Sequence, residues 1–122
     1  MKQAIILFGH GSREARWIEP FERLAARVRK RLPGIEVRLA FLELLSPDLP
    51  AATAELAAAG VQWLRVVPVF IGAGGHVRTD LPALIERLRR QYPTITLECA
   101  AAVGEDDEVL EALAAYCARD LP

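Results

Sequence analysis

The sequence has few of the residues that ordinarily signal export, redox chemistry or membrane insertion. Its two cysteines, Cys99 and Cys117, are too few for a disulfide framework and are not spaced as a CxxC pair. No apolar run approaches the roughly 20 residues that span a bilayer. The first apolar stretch is followed by glycines rather than by a signal-peptide cleavage site. We therefore expect a reduced, cytoplasmic protein without membrane contact, with both cysteines as small core residues.

The chain also has almost no excess of charge of either sign. Its formal net charge is −1, which provides no general attraction for nucleic acid or for anionic lipid. Hydrophobic residues make up 52% of the 122 residues and charged residues 25%, as is typical of a soluble globular protein. A chain of this length predicts one domain, residues 1–122. The basic residues between positions 16 and 31 are most simply a solvated helix face.

Apolar runs alternate with segments of helical spacing. The predicted strands are Ala4–Phe8, Glu36–Leu42, Leu64–Ile71 and Ile95–Ala101. The predicted helices run from Trp17 to Leu32, from Ser46-Pro47 to about Gly60, from Thr79 or Asp80 to just before Pro93, and from Asp106 to Arg119. This βαβαβαβα order predicts a three-layer α/β sandwich, with a four-stranded parallel sheet of flavodoxin-like order 2-1-3-4 and helices on both faces.

Some local features make finer predictions. Ser46 is expected as an N-cap with Pro47 in the first helical position. Pro68 is unusual inside a strand, because proline removes a ladder donor and favours an edge or a bulge. The third helix is expected to bury Leu84, Ile85 and Leu88, and the last helix to turn Leu110, Leu113 and Cys117 inward.

Three potential metal ligands follow three successive strands. His10 comes just after the first strand, Glu43 after the second and His76 after the third. Ligands of such sheets bind at the carboxyl ends of the strands, so these side chains are expected at one edge. Two imidazoles and a carboxylate suit cobalt, nickel, iron or zinc. Each histidine taken alone is also compatible with an ordinary surface or capping role.

The same loops are rich in small residues and hydrogen-bond donors. The glycines are Gly9, Gly11, Gly72, Gly74 and Gly75, and the side-chain donors are Ser12, Arg13, Arg78 and Thr79. Their amides and the helix N-termini beyond them favour an anionic ligand, although tight turns would explain the glycines equally well. Leu44 and Leu45 lie in a loop, where a flat apolar ligand with anionic rim groups, or a partner subunit, would explain them.

Three stretches carry a family resemblance. "ILFGHGSR", "AFLELLSPDL" and "VVPVFIGAGGHVRTDLP" resemble the signature stretches of the small class II tetrapyrrole chelatases, the sirohydrochlorin cobaltochelatases and ferrochelatases. The resemblance covers Ala4 to about Leu88, and Pro68 matches a proline of the family. It implies insertion of a divalent metal, cobalt or else iron or nickel, into sirohydrochlorin. The metal is then a substrate, and no permanent cofactor is implied.

The resemblance also assigns roles to residues. His10 and His76 would deliver the metal and accept the pyrrole protons, and Glu43 would be a further ligand or a proton relay. Ser12, Arg13 and the amides of Gly9, Gly11, Gly74 and Gly75 would hold the carboxylates of the macrocycle. Longer members fuse two such halves, so this single half resembles the short form, which builds its site between the subunits of a homodimer.

Three other functions are compatible with parts of the pattern. A carrier of metal or tetrapyrrole would use the same residues without turnover. A histidine phosphatase also has a histidine after its first strand, but Gly9 stands where an arginine would clamp phosphate. A regulatory flavodoxin-like domain would have incidental histidines.

Overall fold

Strands and helices alternate throughout the chain, whose computed structural model describes residues 1–72 and 74–122, with every side chain in those ranges except that of His76. The strands are β1 (Gln3–Gly9), β2 (Glu36–Phe41), β3 (Trp63–Pro68) and β4 (Thr96–Cys99). The helices are α1 (Glu19–Arg31), α2 (Leu49–Ala58), α3 (Gly75–Gln91) and α4 (Asp107–Ala118). Short 3₁₀ turns, Ala15–Ile18 and Val103–Glu105, precede α1 and α4. Within these ranges no helix has the length and apolar character needed to cross a bilayer.

The four strands form one parallel sheet in the order β2-β1-β3-β4, which confirms the predicted topology. At the carboxyl end, Gly9 of β1 pairs with Phe41 of β2, and Phe8 pairs with Pro68 of β3. The loops that follow β1, β2 and β3 therefore leave the sheet side by side, because parallel strands end at a common edge.

Two hydrophobic clusters lie on opposite faces of the sheet, and alternate residues of β1 contribute to each. Ala4, Ile6 and Phe8 belong to the larger cluster, which α2 and α3 cover. Ile5 and Leu7 belong to the smaller cluster, which α1 covers with Ala25. A strand that is apolar on both faces needs helices on both sides, and its central place in the sheet provides them.

Pro68 lies at the end of β3, where its missing N–H does not interrupt a ladder with β4. The last pair between β3 and β4 is Val66 with Cys99, two residues earlier. Pro68 is thus at a local edge of the sheet, as its chemistry favours.

Helix α2 begins later than the sequence predicts. Its N-cap is Asp48, whose carboxylate accepts a hydrogen bond of 2.9 Å from the Ala51 N–H. The carbonyl of Pro47 instead accepts a hydrogen bond from the Phe41 N–H, so Pro47 belongs to the turn that leaves β2. Ser46 as N-cap and Pro47 as the first helical residue are therefore wrong, and the Asp48 side chain provides the cap instead.

Helix α3 begins earlier than predicted. Its N-cap is Gly74 and its first residue Gly75, so Thr79 and Asp80 lie inside the helix rather than capping it. The Thr79 hydroxyl donates to the Gly75 carbonyl at 3.0 Å, the bond expected of a threonine within a helix. Ile85 and Leu88 are buried as predicted, and Leu84 is half-buried against the same cluster.

Helix α4 does not pack inward. Leu110, Leu113 and Cys117 are all exposed, and among the described residues neither core cluster includes a side chain of α4. The prediction of a buried stripe, and of Cys117 as a core residue, is therefore wrong for the chain on its own. Cys99 is half-buried against the larger cluster.

The cap of α2 gives a stability prediction. Asp48→Ala is expected to lower the free energy of unfolding by about 1 kcal/mol, because the Ala51 N–H loses its partner. Asp48→Asn should lose less, and Ser46→Ala should change little. Urea unfolding monitored by circular dichroism measures all three, and an effect of Ser46→Ala as large as that of Asp48→Ala would contradict the assignment.

The two thiols are expected to differ in reactivity. Burial raises the pKa of the Cys99 thiol, with Glu98 adding to the effect and Arg89 opposing it, so its thiolate fraction at pH 8 is below that of a free thiol. In a disulfide-exchange assay on the native protein, exposed Cys117 should react first and Cys99 slowly. Cys117→Ser should remove the fast phase, and equal rates for both thiols would refute the prediction.

Candidate active site

The loops that follow β1 and β2 are joined by backbone hydrogen bonds. The Leu42 N–H donates to the Gly9 carbonyl at 2.9 Å, and the Glu43 N–H donates to the His10 carbonyl at 3.2 Å. These bonds extend the β1–β2 ladder past the ends of both strands. The backbones of His10 and Glu43 are consequently held side by side.

His10 and Glu43 form an open pair at this edge. His10 Nε2 lies 3.9 Å from Glu43 Oε1, and the side chains are 55% and 58% exposed. The imidazole also lies beside Phe70, whose ring centroid is 5.9 Å away in an edge-to-face arrangement at 73°. A nitrogen and an oxygen donor that face water at this separation can both approach one cation.

His76 is the second residue of α3, directly beyond the loop that follows β3. Its backbone thus lies at the same edge of the sheet as His10 and Glu43, but its side chain is outside the described residues. Among the side chains that the structure does describe, no three His, Cys, Asp or Glu residues converge on one position. The three-residue metal site therefore remains a prediction, of which the His10–Glu43 pair is the part brought together.

Contacts within the chain account for two of the predicted glycines. Gly11 has φ +99°, and a Cβ there would lie 1.7 Å from the Glu43 carbonyl oxygen. A Cβ at Gly9 would lie 3.0 Å from the Phe21 ring. Both glycines allow the chain to pack closely around His10. By contrast, a Cβ at Gly74 or Gly75 would meet no described atom within 4 Å, so packing of the described residues does not account for these two glycines.

Ser12 and Arg13 follow His10 in the same loop. The Ser12 hydroxyl accepts a hydrogen bond of 3.1 Å from the Glu14 N–H, which closes a turn before the 3₁₀ segment. Arg13 is exposed. Its guanidinium group is available to an anion at the rim of the site.

Two exposed apolar side chains lie in the loops that follow β2 and β3. Ile71 is 71% exposed and Leu44 is 54% exposed, the latter with φ +68°. Phe70 and Val77 are buried, so core packing explains them. Core packing does not explain Leu44 and Ile71, which are exposed.

A groove of about 370 Å³ lies next to this edge, under α3. Phe70 and Val77 line it, as do the side chains of Arg78, Arg89 and Glu105. Arg89 and Glu105 are not among the residues that the sequence predicts. The signal that could have found Glu105 is the end of the fourth strand, because β4 ends at the same edge as the other three.

A parallel sheet in the order β2-β1-β3-β4 with helices on both faces defines a doubly wound α/β domain, and the histidine–carboxylate pair lies at the strand ends where such domains bind ligands. The sequence profile of the CbiX family matches residues 4–119. The chain belongs to the CbiX family.

The similar proteins of assigned function are named as chelatases, some of iron and others of cobalt. The chain is 27% identical over 113 residues to the sirohydrochlorin ferrochelatase of Bacillus subtilis, a match that covers 93% of this chain and 43% of the relative. It is 34% identical over 82 residues to the sirohydrochlorin cobaltochelatase of Methanopyrus kandleri, covering 67% of this chain and 57% of that protein. The cobaltochelatase of Sulfurisphaera tokodaii is 28% identical over 109 residues, covering 89% and 86%. The chain thus spans less than half of the B. subtilis protein and most of the S. tokodaii one.

The similar solved structures also include one chain of about this length and one that is about twice as long. A putative cobalamin biosynthesis CbiX protein from Marinobacter aquaeolei VT8 superposes with a TM-score of 0.81 at 35% identity, over 94% of this chain and 93% of that one. The sirohydrochlorin chelatase SirB from Bacillus subtilis subspecies spizizenii, solved in complex with cobalt, superposes with a TM-score of 0.78 at 28% identity. That match covers 93% of this chain and 49% of SirB.

The close approach at Gly11 gives a test of the loop geometry. Gly11→Ala is expected to cost about 2 kcal/mol or more of folding free energy, because the new Cβ meets the Glu43 carbonyl and the positive φ disfavours alanine. Gly72→Ala is the matched control, since a Cβ there meets nothing within 4 Å. Urea unfolding of both variants checks this, and equal stability of the two would show that the loops do not approach as described.

Proposed function

We propose that this chain inserts a divalent metal, cobalt in the first place, into sirohydrochlorin, and that residues 1–122 act as one chelatase half. The observation that carries the proposal is the open His10–Glu43 pair, held by backbone hydrogen bonds at the carboxyl edge of a CbiX-family sheet. The names of the relatives support sirohydrochlorin as the acceptor and leave cobalt and iron as the two metals to compare.

Metal insertion requires two operations on the substrates. Water must leave the ion, and two pyrrole protons must leave the macrocycle. In this proposal His10 and His76 bind the arriving ion and accept the protons, while Glu43 is a further ligand or relays a proton. Imidazole groups ordinarily have a pKa of about 6.5, and in their neutral form they bind such ions without the hold of a thiolate, which favours transfer.

The macrocycle is proposed to lie over the apolar edge. Leu44 and Ile71 are exposed there and would contact the flat face of a tetrapyrrole. Its carboxylates would bind to Ser12, Arg13 and the amides at Gly74 and Gly75, with Arg78 in the adjacent groove. Gly9 and Gly11 contribute by letting the two loops come together.

The remaining parts of the proposal concern the assembly and its surroundings. A second copy of the chain is proposed to complete the site as a homodimer, in place of the second half that SirB carries in one chain. A cytoplasmic location is proposed together with this activity.

The activity is tested by anaerobic insertion of Co²⁺, Fe²⁺ or Ni²⁺ into sirohydrochlorin, followed by absorbance. His10→Ala and His76→Ala are each expected to lower the enzyme-dependent rate about a hundredfold, since each removes a proton acceptor and a ligand. Glu43→Gln should also lower it, whereas Glu55→Gln on the exposed side of α2 is the matched control.

The outcomes separate the alternatives. Parental rates in both histidine variants would refute the site assignment. Stoichiometric binding of metal or macrocycle without turnover would replace the chelatase with a carrier. A higher rate with Fe²⁺ than with Co²⁺ would change the proposed metal and leave the site as described.

A further inference from the structure

The groove under α3 begins beside the candidate active site. Phe70 belongs to both, because its side chain lines the groove and its ring centroid lies 5.9 Å from that of the His10 imidazole. From there the groove continues between α3 and the end of β4, where Cys99 and Ala100 line it. A ligand at the His10–Glu43 pair is therefore next to the groove and can extend a side arm into it.

Much of the groove is lined by apolar side chains. Pro68 and Phe70 contribute from the end of β3, and Val77, Leu81 and Ile85 contribute from α3. At about 370 Å³ the groove is near the lower end of the range for small-molecule pockets, about 300 to 1,000 Å³. It has room for one side arm of a tetrapyrrole and the adjoining edge of the ring, but not for the whole macrocycle.

The charged side chains that line the groove are Arg78, Glu86, Arg89 and Glu105. Glu86 and Arg89 form an ion pair with each other, and Arg89 Nε also donates to the Leu97 carbonyl at 3.0 Å. Within the described part of the chain, neither Arg78 nor Glu105 has an ion-pair partner. The guanidinium of Arg78, with its five N–H donors, is thus available to an anionic group in the groove.

Arg78 and Glu105 have opposite charges and come from different elements. Arg78 is the fourth residue of α3, whereas Glu105 ends the 3₁₀ turn that follows β4. The Gly104 N–H donates to the Phe70 carbonyl at 2.9 Å, and a Cβ at Gly104 would lie 1.8 Å from the Ile71 carbonyl oxygen. This close approach fixes the backbone next to Glu105 beside the loop that follows β3. A carboxylate in the groove is attracted by Arg78 and repelled by Glu105, so its favoured position is toward Arg78.

We propose that the groove binds one carboxylate-bearing side arm of the macrocycle and that Arg78 is the residue that selects for it. The carboxylate accepts N–H bonds from the Arg78 guanidinium, whose planar fork matches a carboxylate. The carbon atoms of the arm and of the ring edge lie against Phe70 and Val77. Repulsion by Glu105 opposes entry of a second carboxylate. This inference rests on the proposed function and names a specificity-determining residue for its substrate.

The first experiment measures binding of metal-free sirohydrochlorin to the full chain by equilibrium dialysis. Arg78→Gln is expected to weaken binding about tenfold, because a charge-assisted hydrogen-bonded pair is lost. Arg78→Lys keeps the charge without the fork and should weaken it about threefold. Arg87→Gln, on the exposed side of the same helix and outside the groove, is the matched control and should leave binding unchanged. Since Arg78 and Arg87 are both exposed, all three variants should keep the parental circular dichroism spectrum.

The second experiment repeats the titration with the methyl ester of sirohydrochlorin, whose side arms carry no charge. Arg78→Gln should bind the ester as tightly as the parental chain does, so that its preference for the acid over the ester falls about tenfold. Glu105→Gln should have the opposite effect, with the acid bound about threefold more tightly and the ester unchanged, because a repelling charge is removed.

A third measurement separates binding from chemistry in the metal-insertion assay. Arg78→Gln is expected to raise KM for sirohydrochlorin about tenfold while kcat falls less than about twofold, because the side arm lies away from the ring nitrogen atoms that receive the metal. A loss confined to kcat would contradict a role in holding the arm.

Each result decides for or against the proposal. Loss of acid binding in Arg78→Gln without loss of ester binding, together with tighter acid binding in Glu105→Gln, supports it. Parental acid binding in Arg78→Gln, or an equal loss for acid and ester, overturns it, and metal insertion by that variant would leave the chelatase activity standing. Binding that depends on Arg78 without insertion of any metal would support the groove and overturn the chelatase. A parental chain that does not bind the macrocycle overturns both.

Discussion

The close approach of the loops after β1 and β2 is the constraint on which the candidate site depends. Two hydrogen bonds join Gly9 to Leu42 and His10 to Glu43 through the main chain. They require a residue without a Cβ at Gly11, where the Glu43 carbonyl occupies the space. The imidazole and the carboxylate are 55% and 58% exposed at the positions that this main-chain contact gives them.

The sheet and the order of its strands could be predicted because they depend on properties that local sequence displays. The run "AIILF" is apolar at every position, and such a strand is stable only between two helix layers, which places it inside the sheet. Once strand order is known, the common edge of His10, Glu43 and the start of α3 follows from parallel pairing. The site is thus mostly a consequence of topology.

The errors concern interactions that composition does not show. Ser46 and Asp48 are both good N-cap residues. Asp48 is the cap because the Pro47 carbonyl accepts a hydrogen bond from the Phe41 N–H at the end of β2, which keeps Pro47 outside the helix. Helix α3 begins at Gly75 although no side chain that the structure describes caps it. Helix α4 has the spacing of a buried stripe, but apolar spacing shows only which side chains share one face of a helix and not what packs against that face.

The exposure of the His10–Glu43 pair bears on how fast a metal ion would bind and leave. A site enclosed by four protein ligands retains its ion, because every ligand must be released before the ion can leave. At this edge the described donors are two side chains that are more than half exposed. If the pair binds the metal as proposed, the ion keeps water in its remaining coordination positions, which the nitrogen atoms of an acceptor can replace. The proposed role of the pair is therefore that of a transfer point, from which the ion moves on quickly.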